Sequence, residues 1–435
     1  MSLIGVINSD AEVKSKIEKA FSRDKDKTFF LHYAEKIEDG LELLNFDLPE
    51  IVILNATDPN LDVDNLIKKI HEDSWLHNFG IIALYDKHKL KEADLVNKLK
   101  ELNLLSTIDH SNIVSTLFNH IQLMEKNRQI IFQYEMGHTM SKRITGSFII
   151  DNDVMSVPVY AGLAATILVQ RGLLSQENKR NLQISLAELL LNGIEHGNCN
   201  ISFEEKNQHL MTGGSLPDLI AEKCKNPSVA NKKVHLEWDL RQDETFFYVR
   251  DEGAGFDVEE YQKKMKTRKQ DALHGRGIML AKSFGGKLSY NKTGNVAMLT
   301  VTHEKTTKSE PVGFVGEEVL LPQKGTVIFR QGEISNYIFY ISSGQYTVYH
   351  DDVPVGILTP ADIFMGEMSF LLNHQRSASV VADTPGKIIK IARKSFVNSI
   401  RQYPQYGLFL SKLLARKLQR NNETHTRKLK NDLAT

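Results

Sequence analysis

Phe364-Met365-Gly366-Glu367-Met368-Ser369-Phe370-Leu371-Leu372-Asn373-His374-Gln375-Arg376-Ser377-Ala378-Ser379 is the stretch on which the reading of the C-terminal third turns. It sets an acid beside a glycine, follows them with a short apolar segment at Met368–Leu372 that suits a turn or two of helix, and places an arginine ten positions after the glycine. Gly366 allows a close approach of backbone to a ligand. Around it lie short strand-like runs punctuated by Gly325, Gly332, Gly344 and Gly356. Strands and turns at that close spacing predict a small β-barrel or sandwich, and helical segments follow at Lys394–Tyr403 and Tyr406–Lys430.

The stretch resembles the phosphate-binding cassette of cyclic-nucleotide-binding domains. Phe329-Arg330-Gln331-Gly332-Glu333 and Tyr340-Ile341-Ser342-Ser343-Gly344 resemble the upstream glycine turns of the same barrel, so the resemblance covers about residues 314–420. It implies that Arg376 holds the cyclic phosphate, whose two exposed oxygens match the paired donors of a guanidinium. It implies that Glu367 accepts from the ribose 2′-OH and that the Met368–Leu372 helix aims its first amides at the phosphate. A hydroxyl at Ser377 can favour guanine in this family, whereas alanine is common in cAMP binders, so cAMP and cGMP both stay open. Gln375 stands where proline is usual. No helix-turn-helix is found after the last helix, so direct DNA binding is not expected. The basic residues Arg416, Lys417, Arg420, Arg427 and Lys428 read as a solvated helix face.

Moving toward the N-terminus, Lys305–Gly313 is a polar linker with a proline and a glycine. Before it, Ile144–Ile150, Val234–Leu240 and Thr245–Arg250 read as strands, Pro158–Gly172 and Gln176–His196 as helices, and polar Phe203–Lys233 as an inserted loop or subdomain. Glu188 and Asn192, four apart, share a helix face. Alone they are what any half-exposed helix carries. The run Ser185–Asn198 containing them resembles the N-box helix of the GHKL ATPases. Asp251-Glu252-Gly253-Ala254-Gly255-Phe256 resembles the adenine-binding box, and His274-Gly275-Arg276-Gly277-Ile278 the phosphate-side box. Three boxes in this order imply that Asn192 ligates Mg²⁺, that Asp251 accepts from the adenine amino group while Gly253 and Gly255 let the backbone pass the base, and that Gly275 and Gly277 present amides to the phosphates. The details of the N-box resemble the anti-sigma-factor serine kinases, in which Glu188 would orient or deprotonate an attacking hydroxyl. His138 does not stand in a phospho-accepting histidine box. Lys263–Lys269 is either an ATP lid or a solvated charge run.

The first 125 residues alternate apolar runs (Leu3–Ile7, Ile51–Leu54, Phe79–Leu84) with helical patterns (Ala11–Phe21, Leu90–Leu104, Ser111–Glu135), which predicts a parallel sheet wrapped by helices. The order resembles a response-regulator receiver without its chemistry. Asp10 is the single acid left after the first strand, Asn55 stands where the phospho-accepting aspartate belongs, and the usual lysine is replaced around Asp109-His110. A pseudo-receiver of this kind serves docking or homodimerisation, or simply packs on the ATPase.

The chain has 435 residues, and 54 basic side chains balance 54 acidic ones. That length suits two to four domains. The balance argues against bulk attraction to nucleic acid or an anionic membrane. The N-terminus lacks a signal peptide's features, the apolar run Val154–Val169 is too short to span a bilayer, and Cys199 and Cys224 read as free thiols, so a cytoplasmic protein is expected. The expected fold is multidomain α/β and α+β: a receiver-like doubly wound parallel sheet over 1–125, a GHKL α/β sandwich over 126–305, and a C-terminal β-barrel with flanking helices over 306–435. The expected function is a cyclic-nucleotide-regulated signalling protein whose Mg²⁺- and ATP-binding domain is a serine/threonine kinase acting on a protein partner, an anti-sigma antagonist or another signalling protein. The alternative is a non-catalytic switch in which ATP and cyclic nucleotide set partner affinity.

Overall fold

The structure is a computed structural model, and it describes residues 2–76, 79–99, 102–127, 144–259, 286–304, 318–372 and 374–432. The N-terminal sheet is parallel throughout, with strands β1 (Ser2–Ile7), β2 (Phe29–Ala34), β3 (Ile51–Asn55), β4 (Gly80–Tyr85) and β5 (Leu104–Asp109) in the order β2-β1-β3-β4-β5. The central strands β3 and β4 are buried at every position, as continuous apolar runs in a sheet covered on both faces must be. Side chains alternate between the faces. Ile51 and Ile53 pack with Val13, Ile17, Ile113 and Leu117 of the helices Ala11–Phe21 and Ile113–Lys126. Val52 and Leu54 pack on the opposite side with Leu66, Ile70 and Leu95 of the helices Val63–Glu72 and Glu92–Lys98. The Leu90–Leu104 helix expectation is corrected: the helix closes at Lys98, and Leu104 opens β5.

The central sheet is antiparallel, β6 (Ile144–Ile150), β7 (Val234–Leu240), β8 (Glu244–Arg250), β9 (Lys287–Tyr290) and β10 (Val296–Thr302), in the order β6-β7-β8-β10-β9. Leu236, Trp238, Phe247 and Val249 face the helices Val157–Gln170 and Gln176–Asn192 and form one core with Tyr160, Leu168, Leu186 and Leu190. The Phe203–Lys233 segment is a subdomain of three short helices, Phe203–Met211, Leu216–Lys223 and Pro227–Ala230. Each starts where a polar side chain takes an orphan amide: Ser202 from Glu205, Ser215 from Asp218, Asn226 from Ser228.

The third unit stacks two antiparallel sheets of four strands. Strands β11 (Glu318–Leu320), β12 (Val327–Phe329), β13 (Tyr337–Ser343), β14 (Tyr346–His350), β15 (Val353–Leu358), β16 (Phe364–Met365), β17 (Ser379–Ala382) and β18 (Lys387–Ala392) divide as β11-β18-β13-β16 and β12-β17-β14-β15. It is a β-sandwich. Helices Arg393–Gln402 and Gln405–Asp432 close the chain.

The units touch through polar groups. Ser147 Oγ donates to the Ser342 carbonyl (2.7 Å), Ser342 Oγ to Thr145 Oγ1 (2.7 Å), and Lys387 pairs with buried Asp239 at 3.5 Å. The outer face of the central sheet therefore carries buried hydroxyls and a carboxylate because β13 and β18 supply their partners. Among the described residues no helix is long and apolar enough to cross a membrane. Cys199 is buried, Cys224 is half-buried, and neither forms a disulfide. Burial pushes the Cys199 thiol up to about 12.

Candidate functional site

The cassette begins at a backbone no ordinary residue adopts readily. Gly366 sits at φ +77°, and a Cβ there would run into Arg376 Nη1. Glycine at this point lets the arginine lie against the chain. Glu367 opens the helix Glu367–Leu372. Arg376 is 4% exposed and Glu367 6%. The guanidinium donates to the Gly366 carbonyl (2.8 Å), to Ser369 Oγ (3.2 Å) and to the Tyr337 carbonyl, and it lies 4.3 Å over the Phe329 ring. These acceptors occupy three of its five N–H bonds. Burial lowers Arg376 to about 10, against the opposing field of Glu333 and Glu367, so it remains cationic at neutral pH. The site thus holds a preset cation beside a carboxylate.

The glycine turns hold this arginine in place through its backbone. Gly332, at φ +86°, donates to the Arg376 carbonyl (2.8 Å), and the Arg376 amide donates to the Glu333 carbonyl (2.8 Å). Gln375 bridges to Ile334 in the same ladder, and Ser377 accepts from His350 Nδ1 through its carbonyl (2.8 Å).

The partner that sequence reading missed is Lys417. Its ammonium lies 2.7 Å from Glu367 Oε1 and 2.9 Å from the Phe364 carbonyl. Arg420 pairs with buried Asp362 at 2.7 Å, and Arg416 pairs with Glu50, just ahead of β3 in the N-terminal unit. The expectation of a solvated basic face is therefore overturned for Lys417, which is largely buried against Glu367, whereas Arg416 and Arg420 pair with carboxylates while staying partly or mostly in water. Arg427 and Lys428 carry no described side chains.

In the central unit, Asn192 ends the helix Gln176–Asn192, a turn beyond Glu188 on one face, and the chain continues into a π-helical turn at Gly193–Asn198. That turn packs on the end of β8. A Cβ at Gly197 would strike the Asp251 carboxyl, and one at Gly253 the Gly197 carbonyl oxygen. Asn198 joins the two segments, accepting from the Glu252 amide (2.9 Å) and donating to Asn152 Oδ1 (2.8 Å). Asp251 accepts from the Gly253 amide at 2.8 Å, and burial pushes its carboxyl above the usual range. Gly255, at φ +79°, lies against the Thr293 carbonyl. The helix end that carries Asn192 thus meets the Asp251–Gly255 segment: a Cβ on the next residue, Gly193, would approach Asp251 Cβ. Asn192 is half-buried and its amide makes no hydrogen bond among the described residues. No cluster of three or more His, Cys, Asp or Glu suited to a metal occurs among them either. Gly275, Gly277, Lys263–Lys269 and His138 lie outside the described residues.

At the C-terminal end of the N-terminal sheet, Asn55 Nδ2 donates to Asn8 Oδ1 (2.8 Å), and His110 Nε2 meets Asn55 Oδ1 at 3.1 Å. Asp10 is spent capping a helix, accepting from the Glu12 (2.8 Å) and Val13 (3.1 Å) amides. Asp58 is engaged by Ser9 N (2.6 Å) and Ser9 Oγ (2.8 Å).

A sandwich that presets an arginine and an acid beside a left-handed glycine defines a class of ligand-binding domain. Residues 322–403 match the family described as the cyclic nucleotide-binding domain, and the C-terminal sandwich is such a domain. The chain is 36% identical over 80 residues to a cGMP-dependent protein kinase of Plasmodium berghei (strain Anka), 18% of this chain and 9% of that protein. It is 32% identical over 105 residues to a cyclic AMP receptor protein of Thermus thermophilus, 23% of this chain and 48% of that protein. Among solved structures, it is similar to the catabolite activator protein of Thermus thermophilus, at 29% identity and a TM-score of 0.23, over 24% of this chain and 52% of that one. The chain thus spans about half or less of the length of the curated relatives it matches.

Proposed function

We propose that this chain is a signalling protein in which a cyclic nucleotide, cAMP or cGMP, regulates a Mg²⁺- and ATP-dependent serine/threonine kinase domain of the GHKL type acting on a protein partner. The observation that carries the regulatory half is the buried Arg376 beside Glu367, poised for a phosphate and a ribose hydroxyl. Two N–H bonds of Arg376 remain for a phosphate after its three protein acceptors are counted.

The catalytic half is supported by the meeting of the helix end that carries Asn192 with the Asp251–Gly255 segment. Asp251 would take the adenine amino group, and Asn192 would hold Mg²⁺, whose charge offsets that of the phosphates. Glu188, a turn before Asn192, would take the proton of the partner's hydroxyl as its oxygen bonds to the γ-phosphorus and the bond to ADP breaks. The N-terminal unit reads as a pseudo-receiver. Its Asn8–Asn55–His110 network puts amides and an imidazole where phosphoryl acceptance needs carboxylates, which supports docking, dimerisation or simple packing on the ATPase over phosphoryl acceptance.

Calorimetric titration with cAMP and cGMP, each with and without Mg·ATP, tests the proposal. One nucleotide should bind, with an affinity that shifts when ATP is present. Transfer of labelled phosphate to the partner should vanish in Glu188→Ala while ATP binding persists. Unchanged behaviour of that variant would replace the kinase with the non-catalytic switch.

A further inference from the structure

The two cysteines of the chain meet across the helical subdomain inserted ahead of β7. Cys199 closes the π-helical turn Gly193–Asn198, where its amide donates to the Ile194 carbonyl (2.9 Å), and it is buried. Cys224 caps the helix Leu216–Lys223, its amide donating to the Ile220 carbonyl (2.9 Å). Leu219 and Ile220 of that helix share a core with Cys199 and Ile201, and Cys224 packs against the same cluster. This packing sets the two thiols side by side, within hydrogen-bonding reach.

Polar contacts supply other ties between the subdomain and this turn. Lys206 Nζ lies 2.6 Å from Glu195 Oε2, Lys232 Nζ donates to the Asn198 carbonyl (3.3 Å), and the Lys233 amide donates to Glu252 Oε2 (3.3 Å). The turn also carries Gly197, against the Asp251 carboxyl. A covalent bond at Cys199 therefore fixes the turn that faces Asp251 as well as the subdomain.

The two thiols are unlike. Cys224 is half-buried and stands between Lys223 and Lys225. Cys199 is out of water, and burial pushes it up to about 12, with Cys224 adding to the rise and Lys223 and Lys232 opposing it. An oxidant thus meets Cys224 first, and Cys199 is placed to resolve what forms there. We propose that Cys199 and Cys224 form a reversible disulfide under a peroxide, clamping the inserted subdomain to the turn that follows the helix Gln176–Asn192. The Cys224 thiolate attacks one oxygen of hydrogen peroxide. The O–O bond breaks, a sulfenic acid forms, and the departing hydroxide takes up a proton and leaves as water. The Cys199 sulfur then attacks the sulfenic sulfur, and its proton leaves with the displaced hydroxide as a second water. Each cysteine sulfur loses one electron, and each peroxide oxygen gains one. Neither step involves cyclic nucleotide or ATP, so the clamp stands or falls apart from both.

Treating the full chain with hydrogen peroxide, alkylating it and mapping its peptides by mass spectrometry tests the clamp. One Cys199–Cys224 cross-link within the chain is expected, lighter than the reduced protein by two hydrogens and reversed by dithiothreitol. Closing a loop around the subdomain constrains the unfolded chain, so the oxidised form should unfold roughly 5–10 °C higher than the reduced one. Cys199→Ala removes the resolving thiol and should leave a Cys224 sulfenic acid that dimedone traps, whereas Cys224→Ala should leave Cys199 reduced. Both thiols still alkylated after peroxide, a cross-link between two copies, or an oxidised chain that unfolds at or below the reduced midpoint would overturn the clamp. Should Cys199→Ala not fold, the wild-type map and midpoints decide.

Discussion

Replacing Arg376 with methionine keeps a long side chain over Phe329 and removes every donor. Three hydrogen bonds are lost, to the Gly366 and Tyr337 carbonyls and to Ser369 Oγ, together with a cation stacked 4.3 Å above an aromatic ring. Bonds from a charged donor contribute roughly 1.5–3 kcal/mol each and a cation over a ring about 0.5–2 kcal/mol. Against this, burial disfavours the charge, as the lowering of Arg376 to about 10 records, and an apolar replacement is relieved of that cost. The net loss of domain stability should be about 2–4 kcal/mol. Ligand affinity should fall further, because the phosphate loses its paired charged donors. About 3–4 kcal/mol of binding energy corresponds to a loss of several hundredfold. Arg376→Lys keeps the charge without the planar fork and should lose roughly tenfold to fiftyfold. Urea unfolding and calorimetric titration with cAMP and cGMP measure the two effects. Arg376→Met that stays folded and binds within threefold of wild type would refute the assignment of this arginine to the phosphate.

Asp251→Asn should raise the midpoint of thermal unfolding by roughly 1–3 °C and abolish ATP binding. Burial raises this carboxyl, so stability is lost as pH rises from the unfolded value through the folded one, and an amide escapes that cost. A variant that binds ATP normally would remove Asp251 from the adenine site. Gly255→Ala should destabilise the central unit by at least about 2 kcal/mol, since φ +79° disfavours any side chain and a Cβ would meet the Thr293 carbonyl; urea unfolding reads this. Stability should also fall between pH 7.5 and pH 5. His110, His120 and His303 are all lowered, chiefly by burial. A lowered imidazole binds fewer protons folded than unfolded, so its contribution is complete above the unfolded value near 6.5 and is lost as pH falls through the folded one. Unfolding midpoints across that range should show the loss, and His110→Asn should flatten its slope; an unchanged slope would dismiss His110 as a contributor.

The elements legible in the sequence were those whose own pattern determines their burial. Val234–Leu240 alternates cleanly because one face meets helices, and the runs Ile51–Leu54 and Phe79–Leu84 are apolar throughout because both faces are covered. Strand β2, Phe29–Ala34, escaped notice because it is an edge strand with an incomplete alternation of half-buried and exposed positions. Leu104 was folded into a helix pattern because leucine serves either period, and only its pairing with Ile81 assigns it to β5. The cassette was readable because Gly366, Glu367 and Arg376 sit within one short stretch of chain. Lys417 was not, and the reason is general. A lysine on an amphipathic helix carries the same local signature whether water or a buried carboxylate receives it, and the choice is made fifty residues away by the burial of Glu367. Charge pattern along a helix identifies which residues could be paired. Only the fold decides which of them are, and here it gives Arg416, Lys417 and Arg420 carboxylate partners that lie on two different units.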